Sequence, residues 1–166
     1  MSIVRRFASG LVLVISAACL LAQHPVADGG GKKELRSYYL TITAHAGDSA
    51  LTACANGFHM ASLWEILDPS NLRYETALGR AEDDSGGGPP ANAQGWVRTG
   101  FPASADGAVP GTANCSAWTS SLPGEFGTTV LLNSAWNDPP PAAMGPWLAV
   151  RHLCNDPRWV WCVEDE

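Results

Sequence analysis

Four cysteines, Cys54, Cys115, Cys154 and Cys162, follow a segment that looks built for export, and no other feature of the chain restricts its fold as much. Arg5 and Arg6 form a positively charged start, and Gly10 to Ala22 (GLVLVISAACLLA) is a short apolar run ending on a small residue where a signal peptidase can cut. The run is short for a bilayer span, so residues 1–22 read as a signal peptide, with a retained anchor as the alternative. A variant of this reading uses Cys19: Ser16-Ala17-Ala18-Cys19 loosely resembles a lipobox, although Ser16 stands where leucine is usual and Leu20 and Leu21 prolong the apolar run. Cleavage after Ala22 removes the fifth cysteine, Cys19, and leaves an even set. An even set in an exported chain predicts two disulfides, and four cysteines allow three pairings. Structural zinc takes its cysteines in closely spaced pairs, and none exists here.

Charge narrows the partners. The full chain carries a net −6; loss of Arg5 and Arg6 leaves 8 basic against 16 acidic residues, a net −8. Nucleic acid and anionic lipid both require clustered Lys and Arg, and no basic stripe is present. A membrane contact would come only from a lipid on Cys19 or from a retained signal.

Residues 23–36, polar and glycine-rich over QHPVADGGGKKE, read as a flexible linker ahead of a domain at 37–166. Tyr38, Leu40 and Ile42 alternate in a β-favouring run, which predicts a first strand over 38–43. Asp48 or Ser49 can cap a helix over Ala50–Asn56 that carries Cys54 and ends at Gly57. Ser62-Leu63-Trp64-Glu65 has the capping-box pattern and opens a second helix with Leu63, Ile66 and Leu67 inward. Asp68-Pro69 is a fresh cap with proline at the first helical position, and a third helical stretch is expected over Leu72–Leu78. Residues 81–95 form a long acidic, then glycine- and proline-rich loop. Short strands are expected at Gly95–Gly100, Thr128–Leu132, Trp147–Val150 and Arg158–Val163. Early helices followed by short strands with long loops give an α+β class. Trp64, Trp96, Trp159 and Trp161 are expected in the core, since aromatics dominate core burial; packing is also favoured for Trp118, Trp136 and Trp147, which lie nearer loops.

Four stretches, in this order, carry a family resemblance. They are Cys54-Ala55-Asn56-Gly57-Phe58-His59-Met60-Ala61-Ser62-Leu63-Trp64-Glu65-Ile66, Gly95-Trp96-Val97-Arg98-Thr99, Asn114-Cys115-Ser116-Ala117-Trp118-Thr119-Ser120 and Val160-Trp161-Cys162-Val163-Glu164-Asp165. On these residues the chain resembles the C-type-lectin-like fold, in particular its endostatin-like branch, and is similar to bacterial secreted domains of unknown function with that fold. The resemblance implies short early helices, a small mixed antiparallel sheet with long loops, and nested bridges Cys54–Cys162 and Cys115–Cys154. The outer bridge would close about 109 residues and contribute roughly 5 kcal/mol, the inner about 40 residues and roughly 4 kcal/mol.

Trp136-Asn137-Asp138 spells the triplet with which calcium-dependent C-type lectins ligate calcium and sugar, and Asn and Asp supply suitable hard oxygens. Here Cys154 lies sixteen positions beyond Asp138 and no Glu-Pro-Asn or Gln-Pro-Asp partner triplet precedes it, so the favoured reading is an Asn-Asp-Pro turn after a packed tryptophan. No cofactor is therefore expected, with calcium kept as the one to test. Glu82-Asp83-Asp84 before three glycines reads as a solvated acidic turn. His24, His45, His59 and His152 show no metal-ligand spacing, and no G-x-S-x-G elbow occurs. Formylglycine-generating enzymes share the fold, but nothing matches their cysteine-bearing site. Asn114-Cys115-Ser116 is a glycosylation sequon, read as incidental.

The expectation is a secreted or surface-exposed, non-catalytic recognition module that binds an extracellular protein or polysaccharide through the loops 80–113 and 133–146. Arg98, Trp136, Asn137 and Asp138 are its candidate ligand-binding residues. The alternatives are a self-assembling structural subunit of an extracellular layer, sheath or filament, and an enzyme on the same scaffold.

Overall fold

The computed structural model describes residues 35–83, 85–101, 109–134 and 145–166. Its centre is a strand drawn from the far end of the domain. Strand β7 (Trp159–Glu164) pairs antiparallel with β1 (Arg36–Leu40) in the register Tyr38↔Val163, Tyr39↔Cys162 and Leu40↔Trp161. Its other edge is shared by β2 (Phe58–Met60), antiparallel, and β4 (Gly95–Trp96), parallel. Beyond these lie β3 (Leu72–Tyr74), parallel to β1, and β5 (Phe126–Leu132), which joins β4 to β6 (Trp147–Leu153). The result is one mixed seven-stranded sheet in the order β3-β1-β7-β4-β5-β6, with β2 on β7. Regular helix among the described residues is brief: α1 (Leu63–Leu67) and two 3₁₀ segments, Gly47–Thr52 and Pro69–Asn71, besides one unusual turn taken up below.

Both expected bridges are present. Cys54–Cys162 joins positions 108 apart and Cys115–Cys154 joins positions 39 apart, so the inner loop nests within the outer. Disulfides of this kind indicate an oxidising, extracellular-type environment. No helix among the described residues is long and apolar enough to cross a membrane.

The core gathers where β7, β1, β4 and β5 meet. Trp161 and Trp96 are fully buried, and each still satisfies its indole N–H: Trp161 donates to the Val130 carbonyl at 2.8 Å and Trp96 to that of His45 at 2.8 Å. Trp147 packs edge-on against Trp161 at 5.6 Å, and Trp118 against Trp96 at 5.5 Å. Gly95 makes this packing possible, because a Cβ there would lie 2.5 Å from both Leu40 Cδ1 and Trp161 Cδ1. Trp159 is half-buried, with the Arg80 guanidinium 4.3 Å over its ring.

Local expectations met the structure unevenly. The capping box forms: the Ser62 hydroxyl accepts from the Glu65 amide while the Glu65 carboxylate accepts from the Ser62 amide. Asp68 caps the 3₁₀ turn that follows, with Pro69 at its first position. The first strand, in contrast, begins at Arg36 and stops at Leu40, because the Thr41 hydroxyl bonds the Thr43 carbonyl at 2.7 Å and bends the chain, leaving Ile42 exposed. Gly47–Thr52 is 3₁₀ and uncapped by a side chain, since Ala46 occupies the N-cap position and Ser49, inside the segment, donates its hydroxyl to the Ala46 carbonyl at 3.1 Å; the helix expected over Ala50–Asn56 does not form. The helix expected over Leu72–Leu78 is replaced by strand β3. Pairing with β1 and the edge-on contact of Tyr74 with Tyr38 at 5.3 Å override its local propensity. Trp64 corrects the core expectation: α1 buries Leu63 and Ile66, one face of a single turn, so Trp64 points away and is 74% exposed. Leu67 is likewise exposed.

Candidate functional site

The most strained backbone among the described residues is a four-residue turn, Cys115–Trp118. All four residues have positive φ (48°, 53°, 59° and 63°), so this is a left-handed helical turn built without glycine. Left-handed conformation costs an ordinary residue about 1–2 kcal/mol. Specific contacts hold the turn. Trp118 N–H donates to the Asn114 carbonyl at 2.7 Å, and the Asn114 side-chain oxygen accepts from the Ala117 amide at 3.1 Å. Ser116 Oγ donates to Glu125 Oε2 at 2.9 Å. The Cys115–Cys154 bridge anchors one end, and burial of Trp118 against Trp96 anchors the other. Gly47 and Gly127 make room for the bridge, since a Cβ on either would lie within 2.6 Å of Cys115 Sγ.

Beside this turn runs a groove of about 230 Å³ lined by Leu51, Arg98, Thr99, Gly100, Phe101, Asn114, Ala117 and Trp118. Arg98 stands at its rim on a fixed backbone: its amide donates to the Ala61 carbonyl at 2.8 Å and its carbonyl accepts from Leu63 N–H at 2.7 Å. Its side chain is exposed, and no side chain among the described residues pairs with the guanidinium. Gly100, at φ +76°, turns the chain and delivers Phe101 to the surface, 49% exposed. Leu51, 42% exposed, adds a second apolar wall. Among the described residues Arg98 is the only titratable group in the lining.

Of the four candidate binding residues, Arg98 is therefore in a groove, whereas Trp136, Asn137 and Asp138 lie outside the described residues. The sequon is committed to structure: Asn114 is buried and its amide donates to the Phe101 carbonyl at 2.6 Å, so a glycan could not be joined to it in the folded protein. Phe101, Leu51 and the left-handed turn were not anticipated. Exposed apolar residues in loops carry no periodic signal, and a run of non-glycine left-handed residues runs against every local propensity.

A polar cluster ties β1, β2 and the residue after β7 to α1. His59 Nδ1 faces Asp165 Oδ1 at 2.7 Å and its Nε2 faces Glu65 Oε1 at 3.3 Å, while Arg36 reaches Glu65 Oε1 at 3.3 Å. Among the described residues no group of three His, Cys, Asp or Glu side chains is placed to hold a metal ion. Burial works to raise the Glu65 pKa, but hydrogen bonds from Ser62 and the nearby His59 outweigh it and hold the carboxyl below its ordinary value. Burial pushes the His152 pKa down, and the Arg158 charge adds to this against Asp156. Both shifts have the same sign for stability. Each group's contribution is present above its ordinary pKa and is lost as pH falls through the lower folded-state value. Acidification should thus lower the melting temperature in two stages, below the ordinary 6.5 of His152 and then below the ordinary 4.5 of Glu65. Glu65→Gln should flatten the second stage while costing less than about 1 kcal/mol at neutral pH, because glutamine still accepts from the Ser62 amide in the capping box and only the ion pair with Arg36 is lost. Melting curves from pH 3 to 8 check this, and an unchanged acid limb in Glu65→Gln would refute it.

No family model matches the chain, and no characterised protein or solved structure is significantly similar to it.

Proposed function

We propose that the chain is a secreted or surface-exposed, non-catalytic recognition module that takes part of an extracellular protein or polysaccharide into the groove beside Arg98. One observation carries this reading: a guanidinium with no side-chain partner among the described residues and two exposed apolar side chains line a concavity whose wall is a strained left-handed turn pinned by a disulfide. Backbone strain is kept where the surrounding structure over-determines it, and such places cluster at ligand sites. The finer reading of the fold, C-type-lectin-like and endostatin-like, draws support from the pairing of β1 with β7 and from the nested bridges. Trp136, Asn137 and Asp138 stay part of the proposal as a calcium-dependent contribution.

The test is an array of glycans and extracellular-matrix proteins probed with the purified protein and with Arg98→Ala, each with and without a calcium chelator. The expected result is retention of the wild type and about tenfold weaker retention of Arg98→Ala, the loss of one charge-assisted contact. A chelator effect would assign the calcium contribution to 136–138. Equal retention of both proteins would remove Arg98 from the site. Silence across the array, with polymerisation of the purified protein, would favour the structural-subunit alternative.

A further inference from the structure

We propose that the group held in the groove is a carboxylate-bearing sugar, a hexuronate residue of an extracellular polysaccharide; this rests on the recognition reading above. Charge gives the first argument. The chain is acidic overall, yet among the described residues the groove is lined by one cation and no acid, a local exception suited to an anionic group. A guanidinium binds a carboxylate with two parallel N–H···O bonds, which fixes orientation as well as charge.

The main chain gives the second argument, because it separates a sugar from an acidic peptide. An extended peptide is gripped chiefly through unpaired backbone groups of its host. Those of Arg98 and Phe101, two of the lining residues, are already used. Arg98 N–H and C=O bond Ala61 and Leu63, the Phe101 carbonyl accepts from Asn114 at 2.6 Å, and the Phe101 amide donates to Thr99 Oγ1 at 3.4 Å. At these two positions recognition therefore falls to side chains, a fork of donors and an exposed aromatic ring. The exposed Phe101 ring presents a negative π face that suits the C–H groups of a pyranose. The groove takes one ring rather than a long segment, and an acidic chain repels a long polyanion, so short oligomers should bind best.

The experiment titrates the disulfide-intact protein, in the presence of chelator, with trigalacturonate, with neutral trigalactose and with triglutamate, followed by calorimetry. Binding of trigalacturonate alone is expected, with affinity reduced about tenfold by Arg98→Gln, less by Arg98→Lys, and also reduced by Phe101→Ala. Both positions are exposed, so melting temperatures should stay within a degree or two of wild type and exclude misfolding as the cause. Equal binding of trigalactose overturns the carboxylate and leaves the recognition reading standing. Binding of triglutamate with the same Arg98 dependence overturns the sugar. No binding of any probe overturns the inference when the array still retains the protein; when the array is silent as well, the recognition reading falls with it.

Discussion

Replacing Cys54 and Cys162 together by alanine is expected to leave little folded protein at physiological temperature. The bridge joins positions 108 apart, and in the chain-entropy account releasing such a loop costs roughly 5 kcal/mol, comparable with the whole stability of many domains of this size. The location adds to the loss. Cys162 is fully buried in β7 between β1 and β2, so its removal loosens the strand that every other part of the sheet depends on. Denaturant unfolding followed by tryptophan fluorescence measures the effect. A loss below about 1 kcal/mol would show that sheet pairing alone holds the domain. The matching change at Cys115 and Cys154 should cost less, roughly 4 kcal/mol from a loop of 39 positions, and should rewind the left-handed turn.

Trp161→Ala is the second large effect, expected to destabilise by about 3–5 kcal/mol through the cavity it leaves. Trp161 is fully buried against Tyr38, Trp147, Leu40 and Gly95, and its N–H satisfies the Val130 carbonyl. That carbonyl would also lose the indole donor, a further penalty of about 1 kcal/mol. Trp161→Phe separates the two terms, since it keeps most of the packing and removes only the donor. A phenylalanine variant as unstable as the alanine one would put the weight on the hydrogen bond. Near-wild-type stability of Trp161→Ala would displace the core from where these contacts place it.

How far the fold could be read in advance depended on whether the deciding interaction was local. Ser62, Glu65, Asp68 and Pro69 act within one turn of their own backbone, and their caps formed as expected. The two disulfides were expected from an even cysteine count, and their pairing was supplied by the family resemblance. Leu72–Tyr74 went the other way, because its conformation is decided by β1, over thirty residues earlier. Trp64 looked like core because it is a tryptophan on an amphipathic helix, but a single turn buries one narrow face, which Leu63 and Ile66 fill. Of the groove's lining, Arg98 alone was named as a binding residue from the sequence; Phe101 follows it by three residues, whereas Leu51, Ala117 and Trp118 come from two other segments brought to it only by folding.

The place of β7 has a consequence for how this protein is made. Until residues 159–164 exist, the pair β1–β3 and the set β4–β5–β6 have no shared neighbour through which to join. Cys54 likewise has no partner before Cys162 appears. Closure of the sheet therefore waits on β7, is slow for so non-local a topology, and is locked by Cys54–Cys162 only where thiols can be oxidised.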